Sequence, residues 1–382
     1  MRKILVIGNG DSIFVRDFIN QYSQRDCIVD LISLGHQPLL MGVRHQRNCT
    51  VNPSFKILNQ IHMYRALALS MKAMDNDYDC IVIHFVSFNL APHIYRLKRK
   101  SKKVVAVVWG SDFYRVSSKI KIFLQDIIYA NVKNIVFTNA ATRDKFSSDK
   151  PFIQESKLAV ARFGLPALDE IGDLLEHPAY DQWCLNFNVP TNKIKIMVGY
   201  NANPAHHQLL VIDKVCELDK EIINAIHLIF PLGYGDGGSG DLIRKKLQEK
   251  EIKNYTVLDK FYDFHEVAKL RCITDILINI QPSDQFSGSM QETLYAGGSV
   301  IAGSWLPYRE IVELGACIYL IDKPEAVGEQ INELVVNLDR HESSSLERVK
   351  TFIGKASSWS ENIRIWDSIL FDDTTKNDSA AK

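Results

Sequence analysis

Residues 275–303, "DILINIQPSDQFSGSMQETLYAGGSVIAG", run from a short β-branched stretch through a loop of small and polar residues into a helical pattern, then out to a second β-branched stretch. Neither apolar run alternates with polar residues. That is the composition of strands covered on both faces, as in a parallel sheet flanked by helices. The same rhythm precedes it, in "KIKIMVGY", "HHQLLVIDKVCEL", "IHLIFPLG", "DLIRKKLQEK", "YTVLD" and "HEVAKLRCI". The first half repeats it with the strands "KILVIG", "CIVDLISLG", "CIVIHF", "VVAVVWG" and "NIVFTN", separated by amphipathic segments.

The fold class expected is therefore α/β, with two doubly wound, Rossmann-like domains. The chain has 382 residues, 46% of them hydrophobic, enough for two cores. An N-terminal domain is expected over 1–165, a second over 166–345, and a C-terminal helix over 346–382 that returns to the first domain and ends in a frayed tail. Gly, Pro and acidic residues place the linker near 163–190. Ligands of open α/β sheets sit at the carboxyl ends of strands, so two such domains are expected to face each other across a cleft lined by those loops.

No window approaches the ~18–20 uninterrupted apolar residues of a membrane span, and "ILVIG" is interrupted by Asn9 and Asp11 before it could serve as a signal core. A cytoplasmic location follows as the expectation. Seven scattered cysteines without a CxxC pair are expected to be reduced thiols, not disulfides or zinc ligands. The net charge of zero conceals an asymmetry: residues 1–165 carry 24 Lys and Arg against 12 Asp and Glu, and the remainder 21 against 33. A basic first half suits a polyanionic partner, either an anionic membrane surface, a phosphorylated acceptor or nucleic acid. "RLKRKSKK", 96–103, is its densest cluster and reads equally well as a solvated helix end.

The residues that follow strands carry the chemistry. After the first strand, "GNGDSIF" offers Gly8 and Gly10 but has Ile13 at the third glycine position, so a dinucleotide fingerprint is incomplete. Gly10 and Asp11 remain as an acceptor-side loop at a helix start, Asp11 being a cap or a cleft acid. Asp75 and Asp77 form a DxD that precedes a strand and reads as a polar turn. His84 ends one strand, and Gly110, Ser111 and Asp112 follow another; Asp112 is the candidate general base and His84 its alternative. In the second half, Gly199, Asn201, Asn203, His206 and His207 lead into a helix and suit a diphosphate cradle. "FPLGYGDGGSG" is a glycine-rich loop, and Lys260 with Phe261 or Tyr262 could meet a phosphate and cover a base. Asp284 and Glu292, with seven residues between them, flank Phe286, Ser287, Gly288 and Ser289. Carboxylates accept from vicinal hydroxyls and bare amides bind phosphate, so one sugar nucleotide would satisfy both.

Asp284 to Glu292 resembles the acidic-x7-acidic signature of GT-B glycosyltransferases. "VGYNANPAHHQ", "IFPLGYG" and "SWLPYREI" are similar to bacterial polysaccharide transferases related to the TDP-N-acetylfucosamine:lipid II transferase family. The resemblance implies that Asp284 meets the donor sugar, with a catalytic share, that Phe286 to Ser289 touch sugar or phosphate, and that Glu292 binds the ribose. It covers most of the second half, whereas the first half is similar in architecture only. Two features differ: the first acid is Asp where many relatives have Glu, and residues 199–213 lack the Arg/Lys pair that clamps the diphosphate, leaving His206, His207 or Lys260 as cations. The implied activity is a metal-independent hexosyl transfer from a nucleotide sugar to a lipid-linked saccharide at the inner face of a bacterial membrane. The donor is then a substrate, and neither a cofactor nor nucleic acid is required. The alternatives are a sugar-nucleotide epimerase or hydrolase on the same fold, and a non-catalytic saccharide-binding protein.

Overall fold

Chain segments 1–35, 38–50, 56–235, 239–284, 286–337 and 343–372 are described by a computed structural model. The apolar runs pair as two all-parallel sheets. The first comprises β1 (Arg2–Gly8), β2 (Cys27–Ser33), β3 (Val43–Asn48), β4 (Cys80–His84), β5 (Val104–Val108), β6 (Asn134–Phe137) and β7 (Leu158–Val160), in the order β3-β2-β1-β4-β5-β6-β7. The second comprises β8 (Ile194–Val198), β9 (Ile226–Pro231), β10 (Tyr255–Leu258), β11 (Ile276–Asn279), β12 (Ser299–Gly303) and β13 (Ile318–Ile321), in the order β10-β9-β8-β11-β12-β13. In each, the strand order reverses beside the first strand, with Ile4 opposite Cys80 and Ile276 opposite Ile196. Ligand crevices open at such reversals, here at the loops after β1 and β4 and after β8 and β11.

Three strands lay outside the sequence reading. β3 is "VRHQRN", half-exposed and polar at a sheet edge; β7 has three residues; β13 is a four-residue edge strand. Edge strands lose the two-faced burial that makes a parallel strand legible.

The chain divides into two compact units, Met1–Gly164 together with the segment from Trp359 onward, and Leu165–Ser358. The stretch read as a linker, 163–190, folds instead as the helices Pro166–Glu176 and Tyr180–Asn186, whose Leu168, Trp183 and Cys184 lie in the second unit's core. The helix Ser343–Ser357 also belongs to that core through Val349 and Ile353. Of the C-terminal segment, the helix Trp359–Phe371 packs on the first sheet, burying Trp359, Ile363, Trp366 and Leu370. The Trp366 indole donates to the Arg162 carbonyl at 2.9 Å. All seven cysteines are free thiols, and among the described residues no helix is long and apolar enough to cross a membrane.

Candidate functional site

The loop after β11 leads directly into the helix Gly288–Tyr295. Ser287 caps that helix, its hydroxyl accepting the Met290 amide at 3.3 Å. Ser289 and Glu292 are three apart and share a face. Each acid of the pair is held by a buried donor from elsewhere in the unit. The Tyr308 hydroxyl donates to Asp284 Oδ2, and the Asn279 amide, at the end of β11, donates to the Tyr308 oxygen at 2.7 Å. Tyr308 is fully buried, and burial, reinforced by the Asp284 charge, pushes its hydroxyl pKa up, so it remains a proton donor. Glu292 Oε2 accepts from Arg271 Nε at 2.9 Å, while Arg271 Nη2 reaches the Ser289 hydroxyl at 2.7 Å. Arg271 and Glu292 are both buried, 5% and 8% exposed. The sequence reading took Arg271 as one residue of an amphipathic helix and Tyr308 as part of "SWLPYREI", quoted for the family resemblance, with no site role for either. An arginine between the buried Leu270 and Ile273 was the signal for a hidden partner, since such charges are rarely buried unpaired.

Three further loops interlock at the same edge of the sheet. Gly199, with φ +68°, ends β8 and lets His206 lie across it; a Cβ there would sit 2.7 Å from the His206 Cβ. The Asn201 side chain accepts the Asn203 amide and its carbonyl accepts from Gln208, so Asn201 builds the turn. His206 is 1% exposed, packs edge-on to Tyr200 and has its pKa lowered to about 4 by burial. It is neutral at pH 7 and cannot supply the cation expected of it. His207, in left-handed backbone, opens the helix Gln208–Cys216. Gly233 packs against the loop after β10, where a Cβ would fall 1.9 Å from the Lys260 carbonyl oxygen. The Tyr234 carbonyl accepts the Ala202 amide at 2.8 Å. The glycines read as a loop of uncertain role thus clasp its neighbours, although residues 236–238 lie outside the described residues. Lys260 is exposed. Tyr262, offered as a base cover, turns inward against Phe187; the exposed rings are Phe261 and Tyr234, whose centroids are 6.2 Å apart. Packing against the core claims Tyr262, since Phe187, just beyond the helix Tyr180–Asn186, stands behind it.

In the first unit the expected catalytic groups are enclosed. Asp112 is 1% exposed, and its two carboxylate oxygens accept the amides of Val86 at 2.8 Å and Trp109 at 2.9 Å. Burial raises its pKa against the opposing pull of those amides. This is a clasp joining the loops after β4 and β5, not a carboxylate open to an acceptor. His84 is fully buried among Phe18, Trp109 and Phe163, neither ring nitrogen has a partner among the described residues, and burial lowers its pKa to about 3. A neutral imidazole so enclosed does not exchange protons with a substrate. Ser111 opens a short helix after Gly110, and Gly10 donates its amide to the Ser33 hydroxyl. Asp11 faces Arg16 at 3.6 Å, and the residue capping the following helix is Ser12. Asp75 and Asp77 pair with Arg44 and Lys3. Within the basic cluster, the Lys100 and Lys103 ammonium groups cap carbonyls in the interior, whereas Lys98, Arg99 and Lys102 point outward.

The comparisons with known proteins support the fold. Residues 3–139, β1 through β6 and the helices between them, match the glycosyl transferase 4-like family. Sucrose-phosphate synthase from Thermosynechococcus elongatus superposes with a TM-score of 0.70 over 96% of this chain and 98% of its own, at 12% identity. The fold is GT-B. Anabaena Alr3699/HepE, solved with UDP, shares this GT-B fold at a TM-score of 0.66 and 12% identity over 96% and 99% of the two chains. UDP-GlcNAc 2-epimerase from Neisseria meningitidis, bound to UDP-GlcNAc, shares it at 0.66 and 12% over 97% and 100%. No curated protein sequence is a match.

Proposed function

We propose that the chain is a glycosyltransferase that takes a nucleotide sugar at the carboxyl edge of the second sheet. The observation that carries this reading is the pair Asp284 and Glu292, each carboxylate oriented by a buried donor, with the start of the helix Gly288–Tyr295 between them. Asp284 accepts from the sugar hydroxyls, Glu292 from the ribose, and the amides around Ser287 to Ser289 receive the diphosphate. Lys260 is an exposed cation at this edge, and Phe261 with Tyr234 offers the nucleobase two rings. In the reaction the anomeric C–O bond to the diphosphate breaks, an acceptor hydroxyl oxygen bonds to that carbon, and its proton passes to the departing nucleoside diphosphate. Catalysis is positional and electrostatic, without a metal or cofactor.

The acceptor we propose is a lipid-linked or growing bacterial surface saccharide of the O-antigen or capsule kind, met by the basic first unit at an anionic membrane face. The charge asymmetry and the outward Lys98, Arg99 and Lys102 support this. Likeness to the epimerase favours one second reading, turnover of the nucleotide sugar alone. Incubation with single nucleotide sugars, with and without lipid-linked saccharide, separates the two. Transfer that requires acceptor supports the first reading. Epimer or free sugar formed at full rate without acceptor removes it.

A further inference from the structure

The guanidinium of Arg271 uses three nitrogens in three directions: Nε on Glu292 Oε2, Nη2 on the Ser289 hydroxyl and Nη1 toward the Met197 thioether. Ser289 and Glu292 lie one turn apart on the same helix, so a planar group bridging both cannot rotate without losing one. Glu292 Oε1, by contrast, takes no hydrogen bond from a described residue. It lies toward the helix start, 3.9 Å from where a Cβ on Gly288 would be. Tyr234, exposed in the loop after β9, interacts electrostatically with both charges.

Stability alone does not call for this arrangement. A buried ion pair is often no better than apolar side chains of the same volume, and a thioether is a weak acceptor for a guanidinium N–H. What the arrangement does achieve is orientation: one carboxylate oxygen is locked and the other presented. We infer that Arg271 is a positioning residue of the donor site, holding Glu292 so that Oε1 faces the hydroxyls of the bound nucleoside. This rests on the donor-site reading above. It also accounts for the missing diphosphate clamp differently from expectation, because Arg271 is already committed inside the unit and serves the nucleoside end of the ligand, not its phosphates.

Calorimetric titration tests it, using the tightest binder among UDP, GDP, ADP, CDP and dTDP alongside inorganic pyrophosphate, well below the melting temperature. Arg271→Lys keeps the charge but cannot bridge two acceptors in one plane. It is expected to weaken the nucleoside diphosphate about tenfold and pyrophosphate by less than about twofold. Ser289→Ala, which retains the ion pair but frees the guanidinium to swing, is expected to give a smaller loss of the same kind, and it stands in if the lysine variant does not fold. Loss of both ligands in parallel, or of neither, in a folded variant overturns the positioning role while leaving the donor site intact. If the unaltered protein binds none of the five nucleotides, the donor-site reading falls and this inference with it.

Discussion

At the scale of single residues, Glu292 illustrates how a buried charge complicates a functional test. Its carboxylate balances Arg271 where neither side chain meets much water. Glu292→Gln leaves that arginine uncompensated and is expected to cost about 3 kcal/mol of stability as well as nucleotide affinity. The double variant Arg271→Met/Glu292→Leu removes both charges and should recover most of the stability in denaturant unfolding, while nucleotide binding stays lost. Recovery of binding with stability would show that the carboxylate has no part in the site. His84 gives a second residue-scale prediction. His84, His93, His206 and His227 are held neutral by burial, with pKa values lowered to about 3, 4, 4 and 4. The unfolded chain takes up their protons near pH 6.5, so this contribution is present above that pH and is lost as pH falls toward 4. Asp17, its pKa raised to about 7 by burial, and Asp112 and Asp169, also raised by burial, run the other way, and their shares are lost as pH rises. No titratable side chain is among the rings that cage His84, so His84→Phe should leave stability within about 1 kcal/mol at pH 7. Its melting temperature should fall less steeply than that of the parent between pH 6.5 and 4. Parallel melting curves would place the acid sensitivity elsewhere.

Between elements, stability is concentrated where strand-end loops clasp one another. Gly233 allows the loop after β9 to touch the Lys260 carbonyl, and no rotamer change can relieve a Cβ 1.9 Å from a backbone oxygen. Gly233→Ala is expected to cost about 3 kcal/mol or more, read from the denaturation midpoint. An unchanged midpoint would show that the two loops separate readily. Asp112 is the corresponding clasp in the first unit. An asparagine there has one carbonyl oxygen for the two amides of Val86 and Trp109, leaving one donor buried without an acceptor. Asp112→Asn should therefore lower stability by about 1–3 kcal/mol and leave nucleotide affinity unchanged in the folded protein. A folded, fully stable variant that binds donor but does not turn over would restore Asp112 as the base.

Over the whole molecule, the chain enters the second unit once and leaves it once, and its last described helix completes the first unit's core. Trp359 and Trp366 are among the largest fully buried side chains, packed with Phe18 and Phe163. The first unit is therefore not finished until the helix Trp359–Phe371 is made. Truncation after Ser358 would expose that aromatic cluster, at a cost of several kcal/mol. Amide exchange should then accelerate in β1, β4 and β5 while β8, β9, β11 and β12 keep their protection. Uniform loss in both sheets would mean that the two units unfold as one.

The sequence by itself determined the central strands, their parallel pairing and the placing of two acids around a helix start. Two-faced burial writes an uninterrupted apolar run, and a loop following such a run must open at the sheet's carboxyl edge. It did not determine the edge strands β3, β7 and β13, which lack that burial, nor the helices within 163–190, whose acidic and Pro-containing surface hid a short buried stripe. Tertiary structure alone decided which polar residues are open to a ligand. His84 ends a strand, and Asp112 and His206 follow strands, as site residues would, yet packing encloses all three. Arg271 and Tyr308 precede Glu292 and follow Asp284 by 21 and 24 residues, and become their partners only when helix and loop close over β11. The reason is physical: a backbone period is local and can be read along the chain, whereas desolvation and charge pairing depend on neighbours that only folding supplies.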